Sequence, residues 1–172
     1  ILNVAIDYLA VGIDPHKATH TAVAVDDDEN VIDELTLGSS STQAARLCEW
    51  AEGLGKREWA VESANGLGYL IARQLVAVGE TVFDVPPVLA SRVRLMGSGK
   101  SQKNDPNDAR SIAIAALRSH RLRVVEPDDH VTVLRLLAKR HHDLSAARTR
   151  AVCRLHTTLC HLAEGRFPRR LR

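Results

Sequence analysis

The sequence predicts an α/β domain, a mixed sheet flanked by helices, followed by one long coiled-coil-like helix. Three observations carry that reading. Leu9 to Leu37 holds three short apolar or β-branched runs joined by turns, the pattern of an antiparallel meander. From Glu58 onward the order becomes strand, helix, strand, which implies parallel pairing through a right-handed crossover. Beyond Pro127, a stripe at three-and-four spacing runs as far as Leu162, mostly apolar with polar residues at three of its positions.

Each element has its own local reason. Leu9-Ala-Val-Gly-Ile-Asp14 is an apolar run closed by an acid, as in a buried strand. Pro15-His16-Lys17 turns the chain into Thr19–Val25, whose residues are β-branched and alternating. Asp26 to Asn30 is a polar hairpin turn, and Val31–Leu37 alternates again. In Thr42–Leu54, Ala44, Leu47, Cys48, Ala51 and Leu54 fall at helical spacing. Glu58–Glu62 is a fourth strand, and it too ends in an acid. Leu67–Val78 is expected as a helix with Leu67, Leu70, Ile71, Leu75 and Val78 on its apolar side. Thr81–Val85 is a fifth strand, stopped by Pro86-Pro87. Val88–Met96 is helical, Gly97–Asn104 is a glycine-rich basic loop, and a further helix opens at Asp105 and runs through Leu117. His120–Val125 reads as a basic connector. Trp50 and Trp59 are expected in the core.

The domain is therefore placed at 1–126, a helical coiled-coil segment at 127–163 and a basic tail at 164–172. The seam of the long helix is Leu134, Leu137, His141, Leu144, Arg148, Ala151, Leu155, Thr158 and Leu162. A helix cannot bury such a stripe on itself, so a homodimer or higher oligomer through 127–163 is expected.

Composition bounds the partners. At 172 residues and 45% hydrophobic, the chain can bury a core. No run of about 18 apolar residues is present, so no membrane partner is expected. No signal-peptide pattern opens the sequence, and three cysteines make no disulfide framework, so a cytoplasmic setting is expected. The net charge of +2 hides a division: residues 1–91 carry 5 Lys and Arg against 14 Asp and Glu, and residues 92–172 carry 18 against 7. The basic half points to a polyanion, with nucleic acid the default; a solvated basic helix surface is the bland reading. Aromatics at 3% are too few for base-stacking platforms.

Four acids carry the chemistry. Asp105 and Asp108 lie three apart at a helix start and so share a face. Asp105 as N-cap, Pro106 at the first helical position and Asp108 in the first turn also describe an ordinary helix start. Asp14 and Glu62, each at the end of a strand, shift the balance. Sites in α/β folds are built at strand ends on one edge. Converging carboxylates repel one another unless hard cations neutralise them, and a pair of magnesium ions suits phosphodiester cleavage.

Other motifs carry less. Gly97-Ser-Gly-Lys-Ser101 looks like the end of a P-loop, but the first glycine that motif needs falls on Arg94. Cys153, His156 and Cys160 share a helical face with His161 following, and core packing describes them better than zinc. No base is placed near Ser98, Ser101 or Ser111.

Val11-Gly-Ile-Asp14 with Lys17 and His20, Val61-Glu-Ser63, and Lys103-Asn-Asp-Pro-Asn-Asp-Ala109 together resemble the DEDD-type transposases of the family named after insertion sequence 110. The resemblance covers residues 10–163. It implies a RuvC-like, RNase H-like domain in which Asp14, Glu62, Asp105 and Asp108 hold Mg2+ (or Mn2+) as the catalytic tetrad. It implies divalent-metal-dependent DNA cleavage and exchange for an insertion sequence. DNA is the expected partner, and some members also use a structured RNA from the element as guide. Lys17, His20, Arg92, Arg94, Lys100, Lys103 and Arg110 are candidates for nucleic-acid contacts around the acids; solvated surface residues are the alternative. Members continue into a C-terminal transposase domain carrying a serine, expected to be absent here because the sequence stops at Arg172. Two further readings stay open at this stage: a stand-alone RuvC-type structure-selective nuclease, and a non-catalytic nucleic-acid-binding dimerisation module.

Overall fold

The computed structural model describes residues 9–96 and 105–162. The chain divides into two compact units, Ile1–Pro127 and Asp128–Arg172.

The first unit is built on a six-stranded sheet in the order β3-β2-β1-β4-β5-β6. β1 (Leu9–Pro15) and β2 (Thr19–Val25) are buried almost throughout, as their apolar runs require. β3 (Val31–Gly38) forms the edge, where its alternating polar residues meet water. β1 pairs antiparallel with β2, with Asp14 opposite Thr21, and parallel with β4 (Arg57–Glu62), with Ile13 beside Val61. β5 (Val82–Val85) lies parallel to β4, with Val85 beside Glu62. The expected basic connector at 120–125 contains one further strand, β6 (Arg123–Val124), antiparallel to β5. Two residues are too few for an alternation signal, so this strand is a purely tertiary choice. It is held by the bond from Val125 N–H to Val82 C=O at 2.8 Å.

Helices cover both faces. On one side α1 (Gln43–Ala51), a 3₁₀ turn at Glu52–Leu54 and α2 (Tyr69–Ala77) pack over Val11, Ile13, Ala22, Ala24, Trp59 and Val61. Trp59 is fully buried, whereas Trp50 is partly buried and donates to Asp33. In α2 only Ile71, Ala72 and Leu75 are buried; Leu67, Leu70 and Val78 are exposed, so the expected apolar side is only half used. Leu67 precedes the helix, which begins two residues later at Tyr69. On the other side α3 (Pro87–Met96) and α4 (Asp105–Arg118) cover Ala10, Val23, Val25, Ala60 and Val85.

α4 lies unusually low on the sheet. A Cβ on Gly12 would sit 2.1 Å from the Ala109 carbonyl oxygen and 2.5 Å from the Ala113 amide nitrogen. Backbone meets backbone here because Ala10, Gly12, Ala109 and Ala113 are all small. The same low seat sets the register of the acids. Asp14 is two strand residues beyond Gly12, about 6.6 Å along β1. Asp105 is four helix residues before Ala109, about 6 Å along α4. The two elements run in opposite directions and stay in step, so Asp105 arrives over Asp14.

In the second unit α5 (His130–Leu162) is a 33-residue helix, about 50 Å long. Asp129 starts it: its carboxylate accepts from the Thr132 amide at 2.7 Å and from the Thr132 hydroxyl at 2.8 Å. None of its described residues is buried; Leu134, Leu137, Leu144, Leu155 and Leu162 are exposed. Cys153 and Cys160, expected to be core cysteines on a packed helix, are exposed.

Gly12→Ala should lower the unfolding free energy by about 3 kcal/mol, the upper range for overpacking where neither backbone can yield. Urea denaturation of the purified variant measures it. A loss under ~1 kcal/mol would show that α4 does not press on β1 at this point.

Candidate metal centre

Strand periodicity decides which side chains meet. Residues two apart on a strand share a face, so Ala10, Gly12 and Asp14 look toward α4, while Val11 and Ile13 look toward α1 and α2; His16 follows just past the strand's end. On β4, Ala60 and Glu62 share the α4 face. On α4, Asp105 and Asp108 extend the buried stripe of Ala109, Ile112 and Ala113 by one turn at the helix N-terminus. The two strand ends and the helix start thus bring their acids to one edge of the sheet.

Asp14, His16 and Asp105 offer ligand atoms that all lie within 4.8 Å of one another. His16 Nδ1 is 3.7 Å from Asp14 Oδ2, too far for a hydrogen bond. Asp14 has a side chain only 9% exposed and makes no hydrogen bond among the described residues. Asp108 is paired with the guanidinium of Arg94 from α3. Glu62 is half-buried, and the chain beyond it is firmly held. Ser63 takes a left-handed φ of 51°, Ser63 N–H bonds Val85 C=O, and Asp84 accepts from the Ala64 amide at 2.8 Å and from the Asn65 side chain at 2.9 Å. Gly68 allows the following turn to close on the strand, since a Cβ there would meet the Glu62 carbonyl oxygen at 2.6 Å.

Electrostatics show how crowded the edge is. Burial pushes the Asp14 carboxyl above its ordinary range; the Asp108 and Asp105 charges push the same way, and His16 and Arg94 oppose them. Burial also raises Glu62, helped by Asp14 and Asp108 and opposed by Arg94 and His16. All four expected acids therefore share one electrostatic neighbourhood, with one guanidinium and one imidazole against them. This is an oxygen-rich donor set short of positive charge, chemistry that suits a divalent cation.

Sequence and structure comparisons give the family and the fold. A family model described as transposase, the DEDD type of insertion sequence 110, matches residues 11–163. The chain belongs to this family. The uncharacterized 44.8 kDa protein of insertion element IS116 from Streptomyces clavuligerus is 34% identical over 165 residues, which is 94% of this chain and 41% of that protein. The uncharacterized 42 kDa protein of insertion element IS900 from Mycobacterium paratuberculosis is 31% identical over 150 residues, 82% of this chain and 36% of that protein. The chain thus spans about two fifths of the length of these curated relatives. RuvC of T. thermophilus, solved with a Holliday junction substrate, superposes with a TM-score of 0.52 at 18% identity, covering 69% of this chain and 99% of RuvC. A second Thermus thermophilus RuvC structure gives 0.51 at 14% identity. The fold of the first unit is RuvC-like, that is, RNase H-like.

The other expected site residues of this family member scatter. Lys17 is exposed in the β1–β2 turn. His20, expected at the surface beside Asp14, is instead 5% exposed and lies on the opposite face, because it pairs with Pro15 and not with Asp14. Its Nε2–H donates to Gln43 Oε1 at 2.9 Å, and Gln43 in turn donates to Gln74 at 2.7 Å. Burial lowers the His20 pKa, which keeps the ring neutral at pH 7. Arg92 is exposed on α3. Arg94 reaches the acids. Arg110 is turned away from them and donates to the Glu29 carbonyl in the β2–β3 turn at 2.9 Å. Lys100 and Lys103 lie outside the described residues. His16 was not singled out from the sequence; its place two residues beyond Asp14 was the available signal.

The raised Asp14 pKa has a defined sign. In the folded state the carboxyl keeps its proton to higher pH than the ordinary 3.8, so folding stability falls as pH rises from there through the folded value. Asp14→Asn should therefore melt several degrees above the wild type near pH 7 without metal. The two should converge near pH 3.5, and added Mn2+ should stabilise only the wild type. Thermal scans across pH check all three.

Proposed function

We propose that this chain carries the metal-dependent nuclease centre of an insertion-sequence transposase, cleaving and exchanging DNA strands with Asp14, Glu62, Asp105 and Asp108 as the tetrad. One observation carries the reading. A buried Asp14 without a hydrogen-bond partner among the described residues faces Asp105 within 4.8 Å and shares its field with Glu62 and Asp108. A protein seldom keeps a buried carboxylate uncompensated unless something binds it. Magnesium or manganese fits the oxygen donors, and bound ions would supply a Lewis acid for the phosphate and an activated water.

The chain's own residues have distinct tasks. Asp14 and Glu62 are fixed on neighbouring strands and set the floor of the site. Asp105 and Asp108 close it from α4, and Arg94 neutralises Asp108 until a cation does so. Lys17 and Arg92 stand exposed and are available to phosphates on either side. DNA is the polyanion this arrangement serves, and a structured RNA of the element is a second partner that the excess of positive charge beyond residue 91 could hold. In α5, the exposed leucine stripe supports pairing with a second copy of the chain. No helix among the described residues is long and apolar enough to cross a membrane.

Calorimetric titration with Mn2+ should show binding to the wild type that Asp105→Asn/Asp108→Asn weakens at least ~10-fold. Nicking of DNA carrying the element's ends should be lost with it. Unchanged binding in the double variant would sink the tetrad reading.

Pairing through α5 has its own readout. Leu137→Asp/Leu144→Asp should convert an oligomer to a monomer in sedimentation velocity, with the circular dichroism of the first unit retained. An unchanged oligomer would move the interface elsewhere.

A further inference from the structure

We propose that His16 is a direct ligand of the acid-lined cation site, binding through Nδ1, and that this nitrogen makes the site favour first-row transition cations over magnesium. The inference rests on the metal reading above and adds to it a donor outside the four acids.

Geometry supports it first. His16 Nδ1 and Asp14 Oδ2 lie 3.7 Å apart, and Asp14, His16 and Asp105 each offer a ligand atom within 4.8 Å of the other two. Neighbouring ligands of an octahedral ion with bonds of about 2.1 Å sit about 3 Å apart, and opposite ones about 4.2 Å. The three atoms need only close by about an ångström to hold one ion. Neither Asp14 nor His16 makes a side-chain hydrogen bond among the described residues, so Nδ1 is committed to no other partner. The backbone that presents it is pinned, since His16 N–H donates to Thr19 C=O at 2.9 Å across the β1–β2 turn. A side chain aimed at a nine-tenths buried, unbonded carboxylate from a fixed turn is placed as a ligand would be.

Chemistry supplies the consequence. Carboxylate oxygens alone suit magnesium, whereas an imidazole nitrogen is a softer donor that favours ions such as cobalt and nickel. The neighbouring His20 is buried, and its Nε2 is held by Gln43 Oε1 at 2.9 Å.

Pulsed electron paramagnetic resonance of Mn2+ bound to the whole chain tests the contact directly, because a coordinated imidazole imprints nitrogen modulation on the manganese signal. The wild type should show that modulation and His16→Ala should lose it. His16→Ala should also weaken Co2+ about 10-fold while changing Mg2+ by less than about threefold. His16→Asp, which offers an oxygen in place of the nitrogen, should regain metal binding without the modulation, and so separates loss of a ligand from loss of the fold. Tightly bound Mn2+ without nitrogen modulation, or modulation that survives His16→Ala, would overturn the role of His16 and leave the tetrad intact. Absence of Mn2+ binding, with or without a short DNA duplex, would overturn both.

Discussion

The site depends on one close approach, the backbone of α4 resting on the backbone of β1 at Gly12. Helices normally ride on a sheet at a distance set by the side chains between them. Here the intervening side chain is missing on the strand and reduced to methyl groups on the helix. The lost side-chain contacts are recovered as tighter van der Waals packing of main chain against main chain. The functional return is reach. Aspartate is short, and two aspartates on facing elements can share an ion only if those elements nearly touch. Glycine at this position thus lets α4 bring Asp105 down to Asp14, two residues further along the strand.

That chemistry opposes the fold. Burying Asp14 and placing Glu62, Asp105 and Asp108 in its field costs stability, as the raised Asp14 and Glu62 carboxyls record. The neighbourhood is only partly relieved from within. Arg94 takes Asp108, and His16 is near enough to soften Asp14 without bonding to it. The tension is held by rigid surroundings. Asp84 ties down the loop after Glu62, Arg110 and Arg118 fasten the β2–β3 turn through Glu29, and β1 is paired along both sides. The result is an unbalanced carboxylate cluster on a stiff frame.

Much of this was legible in the chain. The meander, the strand–helix–strand unit and the acids closing the first and fourth strands follow from alternation, helical spacing and turn residues, all local signals. The position of Asp105 and Asp108 on one helical face needs only the helix repeat. Three features were not legible, for three physical reasons. β6 is two residues long and exists only because the edge of β5 offers bonds. The exposed Leu67, Leu70 and Val78 of the α2 region show that apolar spacing marks a possible face without saying that the sheet is wide enough to cover it. His20 illustrates strand register: its neighbourhood to Asp14 in sequence suggested a shared site, but a single residue of offset across the hairpin put it on the other face.

The offset that removes His20 from the site also gives it a structural task. Gln43 Oε1 accepts from the His20 ring and from the Ser40 amide, so its orientation is set, and its amide nitrogen must then face Gln74. One neutral chain of bonds therefore links β2, α1 and α2 in a region where the sheet is otherwise packed by apolar side chains. Its neutrality matters, because a charged imidazole would place a buried cation without a counter-ion on the α1/α2 side of the sheet. The two histidines of the β1–β2 hairpin thus differ in burial. His20 faces inward, kept neutral by burial, and braces the hairpin against α1 and α2. His16 stays half-open to solvent and faces the acids. The brace through Gln43 and Gln74 thus ties down the hairpin whose turn carries His16.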